Sequence, residues 1–216
     1  MKKIIITSII LTLILIFSYG VRKVYAATLV QYLFADGVPS TVATGLTAST
    51  IVNNTMGTWE LPSNQGYSTD PELRVGPKTS AISQATAVTN NSYFVITITP
   101  DSGKKFTLTS MTFKIARGGA ATPRGWGLRS SLDTYAANID TADAATQRTT
   151  WADITVDLTG GTYDNLTSAI TFRFYIYAPA TGNTLEVDNI TFNGTVEDIT
   201  TSLNNPSVAI TGFLKL

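Results

Sequence analysis

The stretch Leu185–Gly194 reads LEVDNITFNG, and its alternation slips once. Leu185 and Val187 fall on one face of a β-strand, where successive side chains point to opposite sides. The next residue on that face would be Asn189, yet the apolar positions resume at Ile190 and Phe192, one step out of phase. One extra residue at Asp188-Asn189 accounts for the slip, as in a β-bulge. The stretch therefore reads as a strand bent in its middle, with a carboxylate at the bend.

The same period of two recurs along the chain. ATLVQYLFADG (27–37) sets Leu29, Gln31 and Leu33 against Val30, Tyr32 and Phe34 and closes on Asp36-Gly37. SYFVITITP (92–100) alternates and stops at a proline. KFTLTSMTFKIA (105–116) carries Phe106 and Leu108, then Met111, Phe113 and Ile115, with a second slip at Thr109-Ser110. DSGK between these two runs reads as a hairpin turn. WADITVDL (151–158) and AITFRFYIYA (169–178) complete the clear strands. In the latter Ile170, Phe172, Phe174 and Ile176 form an apolar face, while Thr171, Arg173, Tyr175 and Tyr177 read as an outer surface with wet hydroxyls. Weaker strands are expected near 46–52 and 79–83, flanking a long loop that holds Trp59 and Tyr67. DTADAATQ (140–147) reads as one helical turn or a loop. Short strands between turn signals predict an all-β, antiparallel two-sheet sandwich.

The chain has 216 residues, 44% hydrophobic and 14% charged, which suits one domain with a substantial core. Lys2 and Lys3, an apolar run from Ile4 to Phe17, and small residues at Val24 and Ala26 read as a secretory signal peptide over 1–26. Arg22 and Lys23 leave an uncleaved anchor as the alternative. The sandwich is expected over 27–196, followed by 197–216 as a linker or the start of a further module. A secreted or cell-surface location follows, with no membrane contact after cleavage. Removing 1–26 takes four of the 15 basic residues and none of the 15 acidic ones, so the mature chain carries a net charge of −4. That balance argues against nucleic acid. The absence of cysteine excludes a disulfide framework, and the absence of histidine excludes Ser-His-Asp catalysis and the usual zinc sites. A bound metal would be oxygen-ligated, which favours calcium.

LVQYLFADG, YFVITITPDSGKKFTLTSMTFKIAR, WGLRSSLDTYAA, ITFRFYIYA and LEVDNITFNGT occur in one order over about 28–196. In this they resemble exported bacterial jelly-roll β-sandwich modules, of the kind found in surface proteins with a PEP-CTERM-type sorting tail and related to lectin-like and carbohydrate-binding jelly rolls. LRSSLD (128–133) and VDNITFNG (187–194) carry most of the resemblance. The Pro-Glu-Pro motif, apolar helix and basic end of such a tail do not occur in this sequence. The resemblance implies a jelly-roll-like sandwich and a non-catalytic module that binds carbohydrate or another surface polymer. The alternative is a structural or adhesive spacer of a larger surface protein.

In related calcium-stabilised jelly rolls an acidic residue on the last strand meets groups from the first. That implies a structural calcium at Asp188, with Glu186 and Asp36 as further ligands and Gln31 nearby. The competing reading is that Asp188 and Asn189 bond local amides at the bend. For a sugar, exposed rings and hydrogen-bonding side chains are wanted. Trp59, Tyr67, Trp126 and Tyr135 supply the rings, and Arg129 and Asp133 the polar groups; each aromatic also has a core-packing reading. Asp133, Asp140 and Asp143 do not form a recognisable hydrolytic pair in the sequence, so no enzyme activity is expected.

Overall fold

Period-two alternation becomes two antiparallel sheets in the computed structural model, which describes residues 26–63, 71–148 and 150–200. The expected signal peptide, Tyr67 and residues 201–216 lie outside the described residues. In chain order the first strands are β1 (Ala27–Tyr32), β2 (Thr41–Val42), β3 (Leu46–Ala48), β4 (Val52–Asn53), β5 (Thr58–Ser63) and β6 (Glu72–Gly76). A short helix, α1 (Gln84–Thr89), intervenes. There follow β7 (Tyr93–Pro100), β8 (Lys104–Arg117), β9 (Gly125–Ser130), β10 (Asp140–Asp143), β11 (Ala152–Asp157), β12 (Ile170–Tyr177) and β13 (Leu185–Asp198).

One sheet runs β11-β8-β13-β1-β2, with the β5–β6 hairpin joined to β13 through β6. The other runs β10-β9-β12-β7-β3, with β4 also on β7. From β7 onward the chain crosses between sheets at almost every connection, which makes this a jelly-roll-type sandwich. The core lies between the sheets. Phe94 and Phe174 stack at 4.8 Å, Phe113 meets Phe174 edge-on at 5.0 Å, and Phe172 lies 5.0 Å from Phe192. All six β12–β7 register pairs and all six β12–β9 pairs are unbroken, so the inner face of β12 (Ile170, Phe172, Phe174, Ile176) stays buried along its length.

The bulge at the opening stretch is present. Asp188 pairs with Lys114 and Thr191 with Thr112, so β13 spends one extra residue there. Asn189 takes it up with φ of 52°, a left-handed conformation that asparagine tolerates better than most residues. Its side-chain Oδ1 accepts from Gln31 Nε2 at 2.8 Å, tying the bulge to β1. β13 changes partners at this point: Leu185–Val187 pair with β6, and Ile190–Gly194 pair with β1. The slip at Thr109-Ser110 is likewise a shift in register, between Asn193↔Ser110 and Gly194↔Leu108.

Six local expectations are corrected. DSGK does not close a hairpin: β7 and β8 belong to different sheets, so this turn passes the chain across the sandwich. The strand expected near 46–52 is split into β3 and β4, both pairing with β7. The strand expected near 79–83 is replaced by the approach to α1, whose Ser83 caps the helix by accepting from Thr86 N. The long loop around Trp59 is instead a hairpin, with Trp59 opposite Val75. Residues 140–143 form β10 rather than a helical turn, and β13 continues past Val196 to Asp198, where Glu197 and Asp198 pair with Lys105 and Lys104.

Candidate ligand-binding face

The outer face of the β9–β12–β7 sheet carries a cluster of cations and rings. Alternation on β12 turns Thr171, Arg173, Tyr175 and Tyr177 away from the core. Register sets Arg173 opposite Arg129 on β9, and Tyr175 opposite both Gly127 on β9 and Tyr93 on β7. Half of this face is covered. Helix α1 and its approach bury Tyr175 and Tyr177 in a small cluster with Ala81 and Ala87. The expectation of wet hydroxyls on these two tyrosines is therefore corrected, and Tyr177 instead donates to Asp143 Oδ1 at 2.6 Å. Burial first, and then Asp143, pushes the Tyr177 hydroxyl pKa up. Gly127 leaves room for the helix, since a Cβ there would stand 2.1 Å from Gln84 Nε2.

Beyond the helix the face is open. The Arg173 guanidinium carbon lies 3.6 Å from the Tyr135 ring centroid and 4.5 Å from that of Tyr93. The cation thus lies over two tyrosine rings. Tyr93 arrives on β7 in register, but Tyr135 arrives from the loop after β9, and the loop is strained to deliver it. Thr134 and Tyr135 are consecutive non-glycine residues in the left-handed region, with φ of 58° and 61°. Such residues persist where their surroundings over-determine them, characteristically at binding sites. Here Arg129 Nη1 donates to the carbonyls of Tyr135 at 2.8 Å and Ala136 at 3.2 Å. Asp133 accepts from the amides of Ala136 and Ala137. Arg129 Nε donates to Asn138 Oδ1 at 2.6 Å, and Gln84 Nε2 donates to the same oxygen at 3.1 Å. The result is a preorganised patch of two rings, two guanidiniums and two side-chain amides. Its chemistry is hydrogen bonding and stacking.

Of the residues the sequence singled out, the structure brings Arg129, Asp133 and Tyr135 together. Trp126 is not with them: it is 1% exposed and stands edge-on to Phe113 at 4.9 Å in the core. Alternation in GWGLRS decides this, since Trp126 and Leu128 share the inner face and Gly125, Gly127 and Arg129 the outer. Trp59 is also turned inward, edge-on to Phe94 at 5.9 Å. Tyr93, Asn138 and Gln84 were not singled out, and Arg173 was read as part of an outer strand face but kept out of the candidate site. The signal for Tyr93 and Arg173 was their outward parity on two adjacent clear strands.

The other sheet presents a different surface beside the β13 bulge. A cleft of about 410 Å³ is lined by Leu33, Ala35, Pro71, Lys114, Asp188 and Asn189. Behind it lies a buried acidic layer. Glu72 is 1% exposed, and neither carboxylate oxygen has a hydrogen-bond partner among the described residues. Burial, then repulsion from Asp188, pushes its pKa up to about 7, with Arg74 opposing. Glu186 is fully buried. Its Oε1 accepts from Thr184 at 2.9 Å and lies 3.5 Å from Arg74 Nε. Burial also pushes Glu186 up to about 7; the Thr184 hydroxyl opposes this and Glu72 adds to it. The ligand set Asp36, Glu186 and Asp188 is not assembled, and among the described residues no three acidic side chains form a metal cluster. Asp36 is exposed and accepts from Val38 N, while Glu186 is turned to Thr184 and Arg74.

No family model and no curated protein sequence matches this chain. Solved structures do. The CBM22-1 xylan-binding domain of Paenibacillus barcinonensis Xyn10C is 10% identical, over 79% of this chain and 97% of that one, with a TM-score of 0.41. The K3 cleaved adhesin domain of Lys-gingipain from Porphyromonas gingivalis is 11% identical, over 78% and 99%, at 0.45. A family 35 carbohydrate binding module from an environmental isolate is 12% identical, over 79% and 98%, at 0.37.

Proposed function

We propose that this protein is a non-catalytic, exported polysaccharide-binding module, and that it binds on the outer face of the β9–β12–β7 sheet. The observation that carries this reading is the Tyr135 loop. Two adjacent residues are held in the left-handed region, and the arginine and aspartate that hold them there aim a ring onto a patch of guanidinium and amide donors. A pyranose asks for this combination: ring faces for its C–H surface, and planar side chains for its hydroxyls. The three aspartates nearest in sequence are each occupied by a structural bond, Asp133 to amides, Asp140 to Thr141 N and Asp143 to Tyr177. The test is affinity electrophoresis of the full chain through a panel of polysaccharides. Retardation by at least one polymer is expected, weakened about tenfold or more by Tyr135→Ala. Free migration through every gel overturns the reading and leaves the structural spacer in its place.

The same reading includes a structural calcium beside the β13 bulge. Glu72 is what supports it: a buried carboxylate with no hydrogen-bond partner among the described residues, next to Asp188, fits an oxygen-ligated cation. Glu72 and Asp188 would hold the ion, in place of the set centred on Asp36, and the ion would neutralise their mutual repulsion.

A further inference from the structure

We infer that the polymer recognised at this face is acidic, and that Arg173 with Arg129 receives the carboxylate of a uronic-acid unit. The inference rests on the polysaccharide reading above and names the ligand class for that site. Three observations converge. First, Arg173 and Arg129 stand directly opposite each other on adjacent strands, a placement that is unfavourable for like charges. Second, among the described residues neither arginine has a carboxylate within 4 Å, although the chain as a whole has as many acids as bases. Asp133, the acid on the adjoining loop, is spent on the amides of Ala136 and Ala137. Third, the Arg173 guanidinium lies over the Tyr135 ring at 3.6 Å and over the Tyr93 ring at 4.5 Å, which favours use of its edge N–H donors for a ligand. An in-plane fork suits a planar carboxylate, which accepts two parallel hydrogen bonds. A neutral sugar would use the rings and amides but would leave two facing cations uncompensated.

The experiment compares polygalacturonate with the same polymer fully methyl-esterified, with neutral xylan and with dextran sulfate, by calorimetric titration of the full chain at fixed ionic strength. Polygalacturonate is expected to bind at least tenfold more tightly than its ester. Arg173→Gln should remove most of that preference, and Arg173→Lys, which keeps the charge without the fork, should remove part of it. If Arg173→Gln does not fold, the wild-type comparison of acid and ester decides. Equal binding of acid and ester, or an unchanged preference in a folded Arg173→Gln, overturns the inference and leaves the polysaccharide reading standing. Equal binding of dextran sulfate and polygalacturonate also overturns it, since the face would then be reading charge alone. Binding to none of the four overturns this inference, and the electrophoresis panel above then decides the reading beneath it.

Discussion

Asn189 shows what a single residue settles here. Its φ of 52° places the extra residue of the β13 bulge, and its side chain accepts from Gln31 at 2.8 Å and Thr191 at 3.1 Å. A β-branched side chain meets both costs at once, the left-handed backbone and the lost hydrogen bonds. Asn189→Val is expected to lower stability by about 2–3 kcal/mol. Asn189→Gly loses only the hydrogen bonds and is expected to cost about 1 kcal/mol. Urea denaturation of the two variants checks the order, and equal losses would show that the left-handed backbone matters little. At this scale the sequence was informative, because an inserted residue shifts every later side chain to the opposite face. Asp188 was less legible. A carboxylate at a bend has the same sequence pattern whether it meets a cation or a local amide; in the structure Asp188 Oδ1 accepts from the Asn189 amide at 2.6 Å, as the local reading expected, and the Glu72 that bears on a cation lies far away on β6.

The elements were legible where they alternate and obscure where something covers them. β9 is the clearest case. Gly125, Gly127 and Arg129 face outward, and Gly125 fits closely beneath its neighbours: a Cβ there would stand 2.2 Å from Tyr177 Oη and 2.3 Å from the Ala142 carbonyl. Gly125→Ala is expected to cost roughly 1–3 kcal/mol by overpacking. Trp126→Ala, on the opposite face, is expected to cost about 3–5 kcal/mol by opening a core cavity. Thermal melts followed by circular dichroism check both. A Trp126 variant of native stability would mean that the ring is not in the core. The burial of Tyr175 and Tyr177 could not be read from β12 itself. It depends on α1, a helix of six residues, which is too short to show a period of 3.6. Its trace in the sequence is the Ser83–Thr86 capping pair. The ligand face was hidden for a related reason: Tyr93 and Arg173 lie 80 positions apart, and only strand register brings them together.

For the molecule as a whole, stability should depend on pH in a direction opposite to common acid denaturation. Glu72 and Glu186 both have folded pKa values pushed up to about 7, from an ordinary 4.5. The folded state therefore holds their protons more tightly than the unfolded state does. Their contribution is fully present below pH 4.5 and is lost as pH rises through about 7. At about 1.4 kcal/mol per pH unit the loss is on the order of 3 kcal/mol for each group. In EDTA, Tm is expected to fall between pH 5 and pH 8, and Glu72→Gln should reduce the fall. On the proposed calcium site, excess calcium at pH 8 should restore much of it, because the ion would bind the deprotonated carboxylates of the native state only. A flat profile in EDTA would remove the acidic layer as a stability element, and an unmoved Tm with calcium would remove the ion. The two-sheet architecture was legible from alternation and turns, but the sheet to which each strand belongs was not, and so DSGK was read as a hairpin. That pairing has a consequence for the timing of folding. The central strand of one sheet is β13, the last strand among the described residues, and it joins partners as distant as Gln31 and Asn189, separated by 158 positions. A ribosome or an export channel delivers such a chain from its N-terminus, so β1, β6 and β8 must wait beside an empty slot until β13 emerges. Until β13 has been delivered, that sheet has no centre, and the strands on either side of it have no common partner.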